Sequence, residues 1–229
     1  MDDPLDNPIW HALTGPQCAV AFGSGLARHY PRDMAPFSAI AEATDAAYRD
    51  LARDLPAGVE ARLFRPADEA PPAGWRPLSS RPILQMVLAR DPPPRPDLLL
   101  QAELRELAEP DLPAMLELAA LAKPGPFDRR TPALGTFVGI LHGGRLVAMA
   151  GERIRLDRHV EISAVATHPS LRGRGFAAAL TLTLCRRAIA RGGTPFLHVF
   201  PDNPAAKLYE RLGFATRTRL WVLWRQPSP

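Results

Sequence analysis

Downstream of residue 97 the apolar and polar positions fall into an ordered series of strand and helix periods. Residues 98–104 read as a strand. A helix opens at Glu109-Pro110-Asp111, with proline in its first turn, and runs to about Ala122. Apolar runs at 136–141 and 146–154 flank the turn His142-Gly143-Gly144-Arg145, which predicts a hairpin. A second turn, Asp157-Arg158-His159, leads into a strand over 160–167. Residues 176–191 carry helical spacing and stop at Gly192-Gly193. A buried strand at 194–200, a short helix at 204–212 closed by Gly213 and a last strand at 218–225 complete the series.

Upstream, the pattern is more broken. Pro4, Pro8, Pro16, Pro31 and Pro36 divide the first forty residues into short pieces. Ile40, Ala43, Ala47, Leu51 and Leu55 predict a helix over 37–55, and residues 59–64 and 83–88 read as strands. Trp10, His11 and Trp75 are expected to pack a small core rather than to line a pocket. Asp91-Pro92-Pro93-Pro94-Arg95-Pro96-Asp97 can continue neither a helix nor a central strand. It divides the chain into an N-terminal α/β domain (1–91), a stiff linker (92–97) and a C-terminal domain (98–229).

Composition narrows the class. A chain of 229 residues with 46% apolar content can bury a substantial core. No apolar run reaches membrane-spanning length, and Met1-Asp2-Asp3-Pro4-Leu5-Asp6 lacks a signal core, so a soluble cytoplasmic protein is expected. Cys18 and Cys185 show neither metal spacing nor a disulfide framework; Cys185, within an apolar helical pattern, is expected to be a buried thiol. The net charge of +4 comes from scattered arginines, with Lys123 and Lys207 the only lysines. Without a basic stripe rich in aromatics, no nucleic-acid partner is expected.

The candidate chemistry begins where the strand over 160–167 ends. Arg172-Gly173-Arg174-Gly175 joins that strand to the helix that follows. Such a loop presents backbone N–H groups at the positive end of a helix, where phosphate binds. Glycine lets the main chain approach a bulky anion closely. A Walker loop needs a Gly-Lys-Ser/Thr ending, which is missing. A Rossmann turn needs an acid about twenty residues on, where Arg191-Gly192-Gly193 stands instead.

Arg172-x-x-Gly175-x-Ala177 resembles the Arg/Gln-x-x-Gly-x-Gly/Ala signature of the GNAT superfamily of acyl-CoA-dependent N-acetyltransferases. Asn203-x-x-Ala206-x-x-Tyr209-x-x-x-Gly213-Phe214 is similar to a second signature of that family, and the likeness spans about residues 98–225. Thr194-Pro195-Phe196-Leu197-His198-Val199 and the tail after Asn203 most resemble the glycine N-acyltransferase-like branch. The resemblance implies an α/β (α+β) fold, a mixed and mostly antiparallel twisted sheet flanked by helices. It implies acetyl-CoA as acyl-donor substrate, with no metal. The coenzyme pyrophosphate would rest on Arg172, Gly173, Arg174, Gly175, Phe176 and Ala177. The pantetheine arm would lie along Val165, Ala166 and Thr167, in a slot between two splayed strands. Asn203 can cap its short helix and, by the resemblance, also touch the coenzyme.

The resemblance also points Tyr209 at the coenzyme sulfur. A phenol with pKa near 10 stays protonated at neutral pH and can donate to a departing thiolate, so Tyr209 is the expected general acid. Glu161 is the expected base and Glu152 the second candidate; strand alternation puts Glu161, Ser163 and Val165 on one face. His198 is expected to be a satisfied core histidine. The acceptor is expected to be a small-molecule amine rather than a protein, bound near 123–134 and the N-terminal half. That half lacks the glycine loop and has the look of a degenerate copy of the same fold, so the chain would be a monomer with pseudo-dimeric halves or a homodimer. The competing reading is a non-catalytic acyl-CoA sensor.

Overall fold

The chain is described from a computed structural model, covering residues 3–94 and 102–228. Helix α1 (Pro8–Thr14) starts with proline in its first turn, and strands β1 (Ala27–His29) and β2 (Ser38–Ile40) form a small antiparallel pair. Helix α2 (Asp45–Asp54) begins later than its apolar spacing predicts. Thr44 is extended, and its hydroxyl accepts from the Ala47 N–H at 3.2 Å, which fixes the start of the helix and leaves residues 38–40 to the strand. Strands β3 (Ala61–Arg65) and β4 (Trp75–Leu88) follow. β4 extends well beyond the expected 83–88. It tolerates Pro77 and Pro82 because β9, its second neighbour, reaches only Leu84–Val87.

Past the Pro-rich segment come β5 (Ala102–Glu106), α3 (Leu112–Ala122), β6 (Phe137–His142), β7 (Arg145–Arg155) and β8 (His159–Thr167). Of the expected linker, residues 95–97 lie outside the described residues, as do 98–101 of the expected strand. Gly143 and Gly144 both take positive φ, 58° and 76°, as a two-residue hairpin turn demands. Helix α4 (Phe176–Ala190), β9 (Thr194–Val199), α5 (Ala205–Arg211) and β10 (Phe214–Pro227) complete the chain.

Eight strands form one sheet in the order β3-β10-β4-β9-β8-β7-β6-β5. Every neighbouring pair is antiparallel except β8 and β9. This is the expected mixed, mostly antiparallel sheet flanked by helices. Helix α4 covers β6–β9 on one face, where Ile140, Ala148, Ile162, Leu180, Leu184, Cys185 and Leu197 share a core. Helix α3 covers β7 and β8 on the other face. Beside it lie α1 and residues 30–39, whose Ile9, Leu13, Tyr30 and Phe37 pack with Phe64, Ile154 and Phe196. Among the described residues no helix is long and apolar enough to cross a membrane.

The two sides of the Pro-rich segment share this sheet: β10 lies between β3 and β4, and β4 lies against β9. Trp75 packs its ring edge-on to Tyr48 at 5.3 Å, in a core that also takes Leu223 from β10. Trp10 instead stays partly exposed, beneath the Arg28 guanidinium. Removing residues 1–92 strips β3 and β4 from β10 and opens one edge of β9. We predict that residues 93–229 expressed alone are insoluble or lack a cooperative unfolding transition; a soluble monomer with a sharp thermal transition contradicts the shared-sheet account.

Candidate active site

Strands β8 and β9 run parallel and pair over only three positions, His159–Thr194, Val160–Pro195 and Glu161–Phe196. Past Glu161 the edge of β8 facing β9 has no ladder partner, although β8 stays paired with β7 as far as Thr167. β9 likewise keeps its pairing with β4 through Val199. The two strands therefore separate, leaving a slot bordered by the unpaired peptide edges of residues 162–167 and 197–199.

A bulge re-aims β8 at this point. Gly151 pairs with Ser163 but Met149 pairs with Ala166, so β8 advances three residues while β7 advances two. Ala164 takes the extra step with φ of 52°, a left-handed conformation costly for alanine. The expected sharing of one face by Glu161, Ser163 and Val165 is thereby corrected. Val165 packs with Ile162 on the α4 side, while Ala164 and Ala166 pack with Met115 and Leu118 of α3.

The slot leads to the glycine loop. His168 accepts from the Ser170 N–H and steadies a 3-10 turn over Pro169–Leu171. Gly173 and Gly175 then take φ of 78° and 77°, and α4 starts at Phe176 with no side chain capping its N–H groups. The first amides of a helix lack intrahelical partners, and here they face an exposed loop carrying Arg172 and Arg174. A Cβ at Gly173 meets no atom within 4 Å, so the cradle is open. Free amides, a positive helix end and two exposed guanidinium groups suit a pyrophosphate, and the unpaired edge of Val165, Ala166 and Thr167 suits an amide-bearing arm.

Tyr209 stands on α5 and packs beside β9. It is 8% exposed, packs in one core with Leu197 and Val199 of β9, and meets the Phe214 ring at 6.1 Å. Among the described residues its hydroxyl has no hydrogen-bond partner, and burial pushes its pKa up to about 12. Asn203 accepts from the Ala205 N–H at 2.9 Å, which makes it the cap its sequence position predicts.

Glu161 occupies a different setting from an open strand carboxylate. It is fully buried, and its oxygens accept from Arg153 Nε and Nη2, each at 2.8 Å, and from His198 Nδ1 at 2.8 Å. Burial alone raises its pKa, but the Arg153 charge and these hydrogen bonds outweigh it and hold the carboxyl at about 2. Phe37 lies under the Arg153 guanidinium, and Phe64 meets the His198 ring edge-on. The expected role of base thus falls on a carboxylate already engaged on both oxygens. Glu152 faces the other side of the sheet, where it pairs with Ile162 across the strands and binds Arg191. Arg191 follows the C-terminal end of α4, the opposite end from the glycine loop, which removes Glu152 from the slot.

The two segments expected to meet an acceptor touch each other. Arg130 N–H donates to the Asp33 carbonyl at 2.9 Å, and the Thr131 hydroxyl to the Met34 carbonyl at 2.8 Å. A cleft of about 250 Å³ lies nearby, lined by Tyr30, Arg32, Phe37, Leu55, Val59 and Arg62.

Comparison with known proteins agrees with this fold. A family model described as FR47-like protein matches residues 137–222, the segment holding slot, loop and Tyr209. A crystal structure of a GNAT-family protein from Novosphingobium aromaticivorans is 37% identical, with TM-score 0.87 over 100% of both chains. The chain belongs to the GNAT family. A GCN5-related N-acetyltransferase from Kribbella flavida is 22% identical over 91% of this chain and 90% of its own, with TM-score 0.63. A GCN5-related N-acetyltransferase-like protein from Streptococcus suis is 18% identical over 94% and 92%, with TM-score 0.57. Both share the fold. No protein with a curated description matches the sequence.

In this GNAT protein the sequence did not signal the bulge, because alanine is not a residue that advertises positive φ. Gln85, a single amide inside Ile83-Leu84-Gln85-Met86-Val87-Leu88, was a readable sign of a buried polar contact. Its Nε2 donates to the Leu5 carbonyl at 2.8 Å and lies 3.2 Å from His198 Nε2.

The Arg153–Glu161 pair makes a pH-dependent contribution with a definite sign. A carboxyl whose folded pKa is depressed adds stability above its unfolded pKa, near 4.5, and that gain is lost as pH falls through about 2. Arg153→Met leaves the carboxylate buried without its charge partner, held only by His198. We expect it to cost about 3–5 kcal/mol at pH 7, with the gap to the parent narrowing as pH falls, beginning above pH 4.5 because burial raises the variant's carboxyl and ending near pH 2, where the parent's own carboxyl takes up a proton. Denaturant unfolding of both proteins across pH checks this; a gap independent of pH contradicts it.

Proposed function

We propose that the protein transfers an acetyl group from acetyl-CoA to a primary amine by direct attack within a ternary complex. Membership of the GNAT family supports the acyl-CoA chemistry. Three features support the residue assignments: the unpaired edge of β8, the uncapped start of α4 that follows it and the unbonded phenol of Tyr209 beside β9.

Each residue of the slot has a distinct part in this reaction. Peptide groups of Val165, Ala166 and Thr167 hold the pantetheine arm as a strand would be held. Backbone N–H groups from Gly173 through Ala177 bind the pyrophosphate, with Arg172 and Arg174 adding charge and Gly173 and Gly175 supplying positive φ. Asn203 shapes the entry to α5. Tyr209 keeps its proton at any working pH, because burial holds it near 12, and donates to the sulfur as the thioester bond breaks. Most of the acceleration comes from holding amine and thioester in line.

Glu161 is assigned to positioning. A carboxylate held near 2 is a weak proton acceptor at neutral pH, so the proton leaving the amine passes to water in the slot. The acceptor approaches from the face covered by residues 30–37 and 123–134, which are tied together by Arg130 and Thr131. We read that acceptor as a small-molecule amine. The finer kinship to the glycine N-acyltransferase-like branch rests on residues 194–199 and the tail after Asn203.

Tyr209→Phe is expected to lower kcat by about 10²-fold or more, with the KM for acetyl-CoA little changed, in thiol-release assays across a panel of amines. Unchanged kcat removes Tyr209 from the acid role. Gly175→Val places a branched side chain at φ of 77° in the cradle. It should abolish coenzyme A binding measured by calorimetry, and retained affinity refutes the loop assignment. A parent protein that binds coenzyme A yet acetylates no amine in a broad panel is a sensor instead.

A further inference from the structure

One row of polar side chains crosses five neighbouring strands at the height where β8 and β9 part. Arg153 of β7 holds Glu161 of β8 through two bonds of 2.8 Å. Glu161 holds His198 of β9 at 2.8 Å. On its other nitrogen His198 meets Gln85 of β4 at 3.2 Å. Gln85 Oε1 accepts from Arg217 of β10 at 3.0 Å, and Arg217 reaches Asp3 and Asp6 at 2.8 Å each. The neighbours fix the proton on His198: the Gln85 amide donates to Nε2, so Nδ1 carries the hydrogen given to Glu161.

The position of this row matters more than its strength. The Glu161–His198 bond is diagonal, from the last paired residue of β8 to a residue of β9 two positions beyond the last rung. It is therefore the first tie across the slot after the ladder ends. Burying such charges costs desolvation, and an apolar replacement of the same shape is often as stable. A row that crosses the fork has a geometric effect that an apolar cluster lacks. It holds Glu161 between β7 and a residue of β9 beyond the ladder, and so resists wider separation of the strands. The side chains of Glu161 and His198 are each 1% exposed, which keeps an incoming amine from both.

We infer that the Arg153–Glu161–His198 clasp, anchored through Gln85 and Arg217 to the N-terminal residues Asp3 and Asp6, sets the opening between β8 and β9 and thereby the affinity for the acyl carrier. Glu161 and His198 are positioning residues in this account, which rests on the coenzyme reading of the slot. The clasp also explains why the N-terminal segment docks where it does. Leu5 and Asp3 lie more than two hundred residues from Arg217 in sequence, yet they fix one end of the row.

Calorimetric titration of coenzyme A into the full-length protein tests the clasp. His198→Leu removes the tie across the fork without touching Glu161, and His198→Gln keeps a donor for it. H198L should weaken coenzyme A binding roughly tenfold or more, about 1.4 kcal/mol, while H198Q stays within about threefold of the parent. The thermal transition of each variant is recorded to confirm that folded protein is titrated. If H198L does not accumulate folded, Gln85→Leu, which frees the far nitrogen of His198, is read in the same way. Parental affinity in H198L or in Q85L overturns the clasp. So does a Glu161→Gln variant that binds coenzyme A like the parent but loses the acidic limb of its kcat profile, because that result makes Glu161 the base. A parent protein that fails to bind coenzyme A overturns the reading of the slot itself and the clasp with it.

Discussion

An ionised carboxylate shut away from water is the constraint around which this protein is arranged. Glu161 sits in the middle of the sheet, where a lone charge is far less stable than it is in water. Its neighbours follow from that fact. Arg153 supplies the opposite charge in two-point geometry, His198 supplies a third hydrogen, and Phe37 and Phe64 cover the cluster. Each of these comes from a different strand or loop, so satisfying one carboxylate fixes the relation of several elements. The packing of the upstream residues onto the sheet, the angle of the fork and the dryness of its base share this cause.

The slot is a second consequence, this time of unpaired backbone groups. A strand edge normally ends on a neighbour, in water or under a helix. Between β8 and β9 the ladder is broken off after three rungs, and a bulge at Ala164 turns the freed strand toward the glycine loop. Donors and acceptors are left unpaired along the slot and again at the start of α4. A long ligand bearing amides at one end and phosphates at the other would satisfy both sets, which is the physical basis for the proposed coenzyme site.

Much of this was legible in the sequence, and the parts that were not share a physical reason. The hairpin at Gly143-Gly144, the helix closed by Gly192-Gly193 and the loop at Gly173 and Gly175 rest on local rules, and residue type alone announces them. Asn203 caps its helix as its position predicts. The helix expected over 37–55 starts later, because one threonine hydroxyl decides a boundary that periodicity blurs. The position of β4 inside the sheet was not readable, since strand order depends on partners over a hundred residues away. Glu161 stood out in the sequence as a strand carboxylate, but its surroundings did not: Arg153 and His198 are polar residues in apolar strands, and sequence does not say which of them meet.

The location of β10 has a bearing on how the protein comes into being. This strand lies between two that precede it by more than a hundred residues, pairing Arg225 with both Ala61 and Pro77. Contacts so distant in sequence are slow to form, because a long loop must close before they reward it. During synthesis β3 and β4 emerge long before the strand that joins them, and until it arrives they present apolar faces and open edges. β3 and β4 must wait for β10. Assembly of the sheet therefore waits for β10, and the nascent chain is most exposed to misassociation in the interval before that strand is made.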